Sequence, residues 1–232
     1  MPVDELWECP IRMSDKATVE PLPMSALGAR TLFSTRLFMT ALILASGSSI
    51  RRKMLEDAGV EFEVIRPDVD EDALKGTMDD PVQIAGELAE AKALAVSATR
   101  PGDWVIGSDS VVSVAGQLFS KPASREEAAE HLRTFSGKKL LLTSGVALAR
   151  DGVADWKHVG AAELVVRDLS EKFIESYLDV EWPEVGNTVG VFRLEGRGVQ
   201  LFDVIAGGHF VILGMPLVPL LKALREREIL PS

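Results

Sequence analysis

Between Leu42 and Lys53 the chain reads L-I-L-A-S-G-S-S-I-R-R-K, an apolar run, a turn of serines and glycine, and a basic helical start. The first N–H groups of a helix lack intrahelical partners and lie at the positive end of its dipole, so such a turn can hold a phosphate. Ser46 and Ser48 add hydroxyl donors, and Arg51 and Arg52 add planar cationic forks that match phosphate oxygens. A capped helix followed by solvated arginines fits the same residues. Two serines, a glycine and consecutive arginines within one turn favour the phosphate reading.

Three further segments carry chemistry. P-D-V-D-E-D, Pro67 to Asp72, puts four acidic residues in six positions; it reads either as a solvated loop or as a divalent-ion site with Glu71 its preferred ligand. Asp109, in G-S-D-S-V-V, follows the apolar stretch Trp104 to Ile106, so it is expected at a strand end, where α/β sheets meet ligands. A turn-forming aspartate is the plainer account. Lys121, held extended by Pro122, and Lys92, the charged position of an Ala-rich helix, read as solvated lysines or as ligands of an anion.

These residues must be positioned by alternating strands and helices. Ala41 to Ala45 reads as a buried strand, Ser49 to Ala58 as a helix stopped by Gly59, and Glu61 to Ile65 as a strand. Asp80-Pro81 starts a helix to about Ala98. Trp104 to Gly107 and Val111 to Val114 are strand pieces flanking Asp109, and Ser124 with Glu127 forms a capping box. Leu140 to Ala149 and Gly160 to Val166 are strands, and Ser170 caps a helix through Leu178. A Gly-rich segment from Gly186 to Gly198, a strand from Val199 to Ile205 and a helix from about Pro216 to Arg227 complete the pattern. Several connections are too short for parallel crossovers, so the class is α/β with a mixed twisted sheet and flanking helices, one domain with a cleft.

Residues 1–38 share none of this periodicity and are read as an N-terminal extension, disordered or upstream of a true start at Met39; the domain is placed at 39–228. With 232 residues and 47% hydrophobic composition the chain can bury a sizeable core, and its net charge of −10 argues against non-specific nucleic-acid binding. Cys9 is the only cysteine, which excludes an intramolecular disulfide and fits a reducing cytoplasm. Three dispersed histidines leave carboxylates as the ligands of any metal. No apolar run of about 18 residues and no secretory leader is present, so no membrane partner is expected.

Taken together the segments resemble the Maf family of nucleoside triphosphate pyrophosphatases, from Ala41 to Arg227. Its L-A-S-x-S-x-R-R motif is matched by L-A-S-G-S-S-I-R-R with one extra residue, and P-D-x-D-E by Pro67 to Glu71. E-x-K-A is matched at Glu90 to Ala93, G-A-D-T-V-V at Gly107 to Val112, and K-P at Lys121-Pro122. The E-E-A helix motif falls at Glu126 to Gly137, and L-E-G-R-G-V-Q-L-F with I-A-G-G-H-F-V-I-L-G-M-P-L resembles the closing segments.

The resemblance implies a Maf/ITPase-like fold with two lobes around a central cleft, and hydrolysis of nucleoside triphosphates, non-standard or modified ones included, to monophosphate and pyrophosphate. It implies Asp109 as essential carboxylate, general base or metal ligand, and Glu71 with Asp109 as ligands of Mg²⁺ or Mn²⁺. Ser46, Ser48, Arg51, Arg52, Lys92 and Lys121 would hold the triphosphate, and Ser110 and Glu195, with Arg51, match positions linked to base selection. A homodimer is also implied. Three departures stand out: Asn187-Thr188 replaces an Asp-Lys pair, Glu195 stands where glutamine is usual, and Ser110 replaces threonine. Two rival readings remain open, a nucleotidyltransferase, from the loop, and a non-catalytic nucleotide-binding regulator of cell division.

Overall fold

The computed structural model describes residues 40–231; the expected extension at 1–38 and the start at Met39 lie outside the described residues. The apolar run forms β1 (Leu42–Ala45), buried throughout as a strand covered on both faces must be. Ser48 caps α1 (Ser49–Asp57), its hydroxyl accepting from the Arg51 N–H, and the left-handed Gly59 (φ 69°) follows the helix. β2 (Glu63–Ile65) pairs parallel with β1. The acidic run is not all loop: Asp70 caps a short helix, α2 (Glu71–Lys75), with Glu71 and Asp72 in its first turn, where carboxylates favour the dipole. Asp80 caps α3 (Pro81–Ser97), with proline where no donor is needed.

The two pieces expected around Asp109 are one strand, β3 (Trp104–Val114), parallel to β1 and antiparallel to the rest of its neighbours. β4 (Gln117–Phe119) folds back on β3, and α4 (Arg125–Phe135) follows. In the expected capping box the Glu127 carboxylate accepts from the N–H of Ala123 rather than that of Ser124. β5 (Lys139–Arg150) and β6 (Val153–Val166) form a long hairpin, so β6 starts well before Gly160. After α5 (Glu171–Glu181), residues Arg197–Leu201 wind into a 3₁₀ turn where a strand was expected, and β7 begins at Phe202 and ends at Gly207. Helices α6 (His209–Ile212) and α7 (Leu217–Glu226) close the chain. The mixed sheet runs β2-β1-β3-β5-β6-β7, with β4 on β3.

Side-chain alternation on β3 and β5 sorts the core. Ile106, Val146 and Leu148 join Leu42 and Leu44 under Met54 and Leu55 of α1 and Leu220 and Leu224 of α7. Ile43, Ala45, Val105 and Ala147 face Ala89 and Ala93 of α3. Farther along the same long strands, Val112, Leu140, Leu142 and Leu164 pack against Leu132 and Phe135 of α4 and Ile174 and Tyr177 of α5. The sheet thus links two lobes, with Asp109 and Ser110 on β3 between them. Helix α3 sits unusually close to it: a Cβ on Gly107 would lie 2.0 Å from the Ala89 carbonyl oxygen, and one on Gly145 2.2 Å from that of Ala85. Among the described residues no helix is long and apolar enough to cross a membrane.

Candidate active site at the ends of the parallel strands

β1 stops at Ala45, which pairs with Ile65 on one side and Gly107 on the other. Ser46, Arg66 and Ser108 therefore emerge at one level, at the carboxyl ends of β1 and β2 beside β3, the usual ligand edge of an α/β sheet. β3 does not end there. Pairing with β5 carries it on to Val114, so Asp109 lies within a strand, not at its end as expected. Its opening comes from the neighbour: β1 has run out beside it.

Arg51 turns inward from the first turn of α1. Its Nε donates to the Gly214 carbonyl at 2.8 Å, Nη1 to the Ser108 carbonyl at 2.9 Å and more weakly to Ser46 Oγ at 3.4 Å, and Nη2 to Ser110 Oγ at 3.0 Å. Burial pulls its pKa below the usual guanidinium value, and the fields of Asp109 and Glu71 pull it back, so it stays charged. Ser46, 5% exposed, also accepts from the Ser48 N–H at 3.2 Å. Ser110 shares a hydrogen bond with Ser144 at 2.9 Å. Arg52 is exposed on the outer side of the helix.

On the other face of β3, Lys92 reaches out of α3 to both carboxylates. Its Nζ lies 2.6 Å from Asp109 Oδ1 and 2.7 Å from Glu71 Oε1. The lysine is buried, not solvated: it is 8% exposed and Asp109 6%. The close approach of α3 at Gly107 and Gly145 allows this reach. Burial alone would raise the Glu71 carboxyl, but the Lys92 hydrogen bond and charge, with Lys75 and Lys121 nearby, hold it below its ordinary value. Lys121 is exposed on the loop after β4 and within electrostatic reach of Glu71.

Asp109 Oδ2 is buried and has no hydrogen-bond partner. A charged oxygen without a partner in the interior is costly, so this atom is suited to receive a cation, a water or a substrate proton. Among the described residues no three His, Cys, Asp or Glu side chains cluster as a complete metal cage. Two carboxylates nevertheless fit a hard cation such as Mg²⁺, which keeps waters and completes its shell with substrate phosphates.

Glu195 stands apart from Ser110. It lines a groove of about 470 Å³ beside α1, with Ile50, Met54, Phe210, Leu213 and Leu217 as apolar walls and Ser49 at the phosphate-turn end. Neither Asp109 nor Lys92 lines it. Its loop is fastened by α5: the Glu181 carboxylate, 4% exposed, accepts from Arg193 Nη2 at 2.9 Å and Nε at 3.2 Å, and Tyr177 donates to the Val191 carbonyl at 3.0 Å. Burial, chiefly, raises the Tyr177 hydroxyl, which therefore remains a donor. Where an Asp-Lys pair would stand, Thr188 Oγ1 donates to the Val185 carbonyl and accepts from the Phe192 N–H, a strut with no charge.

The structure thus brings Ser46, Arg51 and Ser110 together on one side of β3, and Asp109, Lys92, Glu71 and Lys121 on the other. Sequence reasoning missed the partners that fix Arg51, namely the carbonyls of Ser108 and Gly214, because a backbone acceptor 163 residues away leaves no local signature.

The family described as Maf-like protein matches residues 41–227. A nucleoside triphosphate pyrophosphatase of Hyphomonas neptunium is 44% identical over 196 residues, 83% of this chain and 98% of that protein. A 7-methyl-GTP pyrophosphatase of Rhizobium etli is 45% identical over 189 residues, 80% of this chain and 95% of the relative. A nucleoside triphosphate pyrophosphatase of Sphingopyxis alaskensis is 43% identical over 196 residues, covering 82% and 99% of the two chains. With a family match across most of its length and relatives of this identity and coverage, the chain belongs to the Maf-like protein family.

Proposed function

We propose that this chain is a hydrolase of nucleotide metabolism, a cytoplasmic nucleoside triphosphate pyrophosphatase that cleaves the α–β phosphoanhydride and releases nucleoside monophosphate and pyrophosphate. The observation that carries the reading is the bare, buried Asp109 Oδ2, on a carboxylate whose Oδ1 is held by Lys92. The reaction is an in-line displacement. Water oxygen bonds to the α-phosphorus, the bond from that phosphorus to the α–β bridging oxygen breaks with its electron pair leaving on pyrophosphate, and a water proton passes to Asp109 Oδ2. Lys92 keeps Oδ1 occupied and the carboxylate oriented. The N-terminus of α1, Ser46, Ser48, Arg52 and Lys121 orient the polyphosphate and oppose the charge growing on the leaving group. Arg51 fixes the turn against β3 through Ser108 and Gly214. Mg²⁺ or Mn²⁺, held by Asp109 and Glu71, would supply charge neutralisation for the triphosphate.

Base preference is assigned to the groove at Glu195. A purine methylated at N7 carries a positive charge, which a carboxylate complements and the Phe210 ring attracts; 7-methyl-GTP is therefore the favoured candidate. The acidic chain has no nucleic-acid partner in this reading. A homodimer is part of it: β7 is the outermost strand of the sheet, with Val204 52% and Ile205 39% exposed, and sedimentation tests that association.

The decisive experiment incubates protein, Mg²⁺ and a panel of standard and methylated triphosphates without any acceptor. Pyrophosphate and monophosphate in equal amounts support hydrolysis; no product without an added acceptor supports a nucleotidyltransferase, and bound, intact triphosphate a regulator. Asp109→Asn is expected to keep the wild-type melting temperature and lose about 10²-fold or more in kcat; wild-type turnover removes Asp109 from the chemistry.

A further inference from the structure

The cations that the phosphate turn offers are partly committed inside the protein. Arg51 spends its fork on Gly214, Ser108 and Ser110, and Lys92 is held by two carboxylates. Another guanidinium stands at the turn. Arg66 is the residue after β2, and because Ile65 pairs with Ala45, it emerges level with Ser46. Its side chain lies across the turn itself: a Cβ on Gly47 would meet Arg66 Nε at 3.3 Å and its Cδ and Cζ at 3.7 Å. Glycine at 47 leaves that space to the guanidinium. Arg66 is followed by Asp68, Asp70, Glu71 and Asp72. Among the described residues it nevertheless forms no ion pair, while twelve other lysines and arginines do.

We propose that Arg66 is a phosphate-binding residue of this active site, closing its guanidinium on the polyphosphate of a nucleotide seated on the Ser46–Ser48 turn. The assignment rests on the pyrophosphatase reading above. Its chemistry is that of an unpaired planar fork at the carboxyl end of a strand, beside a helix N-terminus, exposed enough to swing onto an arriving anion and long enough to follow it. The ligand class is a di- or triphosphate. A monophosphate held at the Asp109 end alone would not need it.

Arg66→Gln and Arg66→Lys test the assignment in the full chain, with pyrophosphate as the probe in calorimetry and nucleoside triphosphate in steady-state kinetics. Arg66→Gln is expected to raise the pyrophosphate Kd and the triphosphate KM about tenfold, with wild-type melting temperature, and Arg66→Lys to recover part of the loss. Arg66 is exposed, so both variants are expected to fold. A side chain that merely packs on Gly47 would alter melting and leave both constants alone. If wild type cleaves triphosphate and Arg66→Gln matches it in Kd and KM, the assignment of Arg66 is overturned and the enzyme reading stands. If wild type neither binds pyrophosphate nor releases it from a triphosphate, the enzyme reading is overturned and this assignment with it.

Discussion

Replacing Gly107 by alanine puts one carbon where helix α3 already is. That Cβ would lie 2.0 Å from the Ala89 carbonyl oxygen, 2.5 Å from the Ala93 nitrogen and 2.9 Å from the Ala93 Cβ, all on α3. Ordinary contacts of carbon need about 3.5 Å, so the helix must retreat by roughly 1 Å or the strand must buckle. Lys92 leaves the same helix and touches Asp109 at 2.6 Å and Glu71 at 2.7 Å. A retreat of roughly 1 Å takes both contacts to or beyond hydrogen-bonding range. Overpacking of this kind costs about 1–3 kcal/mol or more; in a protein of this size each kcal/mol lowers Tm by about 2–4 °C, so a drop of roughly 2–12 °C is expected. Misplacing a positioned group by about 1 Å costs about 10²-fold in turnover. Thermal melting and triphosphate turnover of Gly107→Ala are compared with Gly76→Ala, where helical φ of −63° and a nearest contact of 3.4 Å leave room. Gly145→Ala, which meets α3 at Ala85, is expected to behave like Gly107→Ala. Wild-type melting and turnover in both variants would refute the claim that α3's close seat places Lys92.

Lys92→Met leaves the buried Asp109 unpaired and is expected to cost about 3–5 kcal/mol at pH 7. In wild type the Glu71 carboxyl is held low by Lys92, so its contribution is present above the unfolded value near 4.3 and is lost as pH falls through the folded one; without Lys92, burial dominates and the Tm deficit is expected to shrink between pH 7 and pH 4. His131, whose Nδ1 is buried without a partner, has its pKa lowered by burial, with Glu127 offsetting part. The fold therefore favours neutral imidazole, stability falls as pH drops below about 6.5, and His131→Leu is expected to flatten the Tm profile between pH 7 and pH 5. Arg193→Ala leaves Glu181 buried and unpaired at about 2–3 kcal/mol, reduced because the arginine is 37% exposed. It also loosens the loop of Glu195, so the ratio of 7-methyl-GTP to GTP turnover is expected to move, whereas a purely structural effect would scale both together.

Local chemistry carried much of this fold. Asp80-Pro81, Ser124 and Ser170 each cap the helix expected of them, because a side-chain cap is a contact of two to three residues that sequence displays directly. Elements that bury little leave little to read. Residues 153–159 of β6 are mostly exposed, so no apolar alternation marks them, and α2 buries none of its residues within what looks like a plain acidic run. Lys92 illustrates the opposite case. α3 is buried at Ile84, Ala85, Gly86, Leu88, Ala89 and Ala93, on more than one side, so the apolar pattern could not say whether the lysine faced water or carboxylates. Arg66 carried no signal, since its relation to Gly47 exists only once β1 and β2 pair.

The charge distribution explains how an acidic chain can seat a polyanion. The net charge of −10 acts on a ligand only through the groups within a Debye length of about 8 Å at physiological salt. Much of the remaining surface charge is internally matched, as in Arg133 with Glu171 and Arg125 with Asp179. At the proposed site Arg51, Arg52, Arg66, Lys92 and Lys121 stand against Glu71 and Asp109, with Asp68, Asp70 and Asp72 in the same acidic run, so the side chains fall short of the roughly four negative charges of a triphosphate. Lys92 is already spent on the two carboxylates. The remaining imbalance falls beside Asp109 Oδ2, a buried site atom without a partner among the described residues, which is why the attacking water is assigned to that oxygen, with the divalent cation shared between Asp109 and the better-paired Glu71.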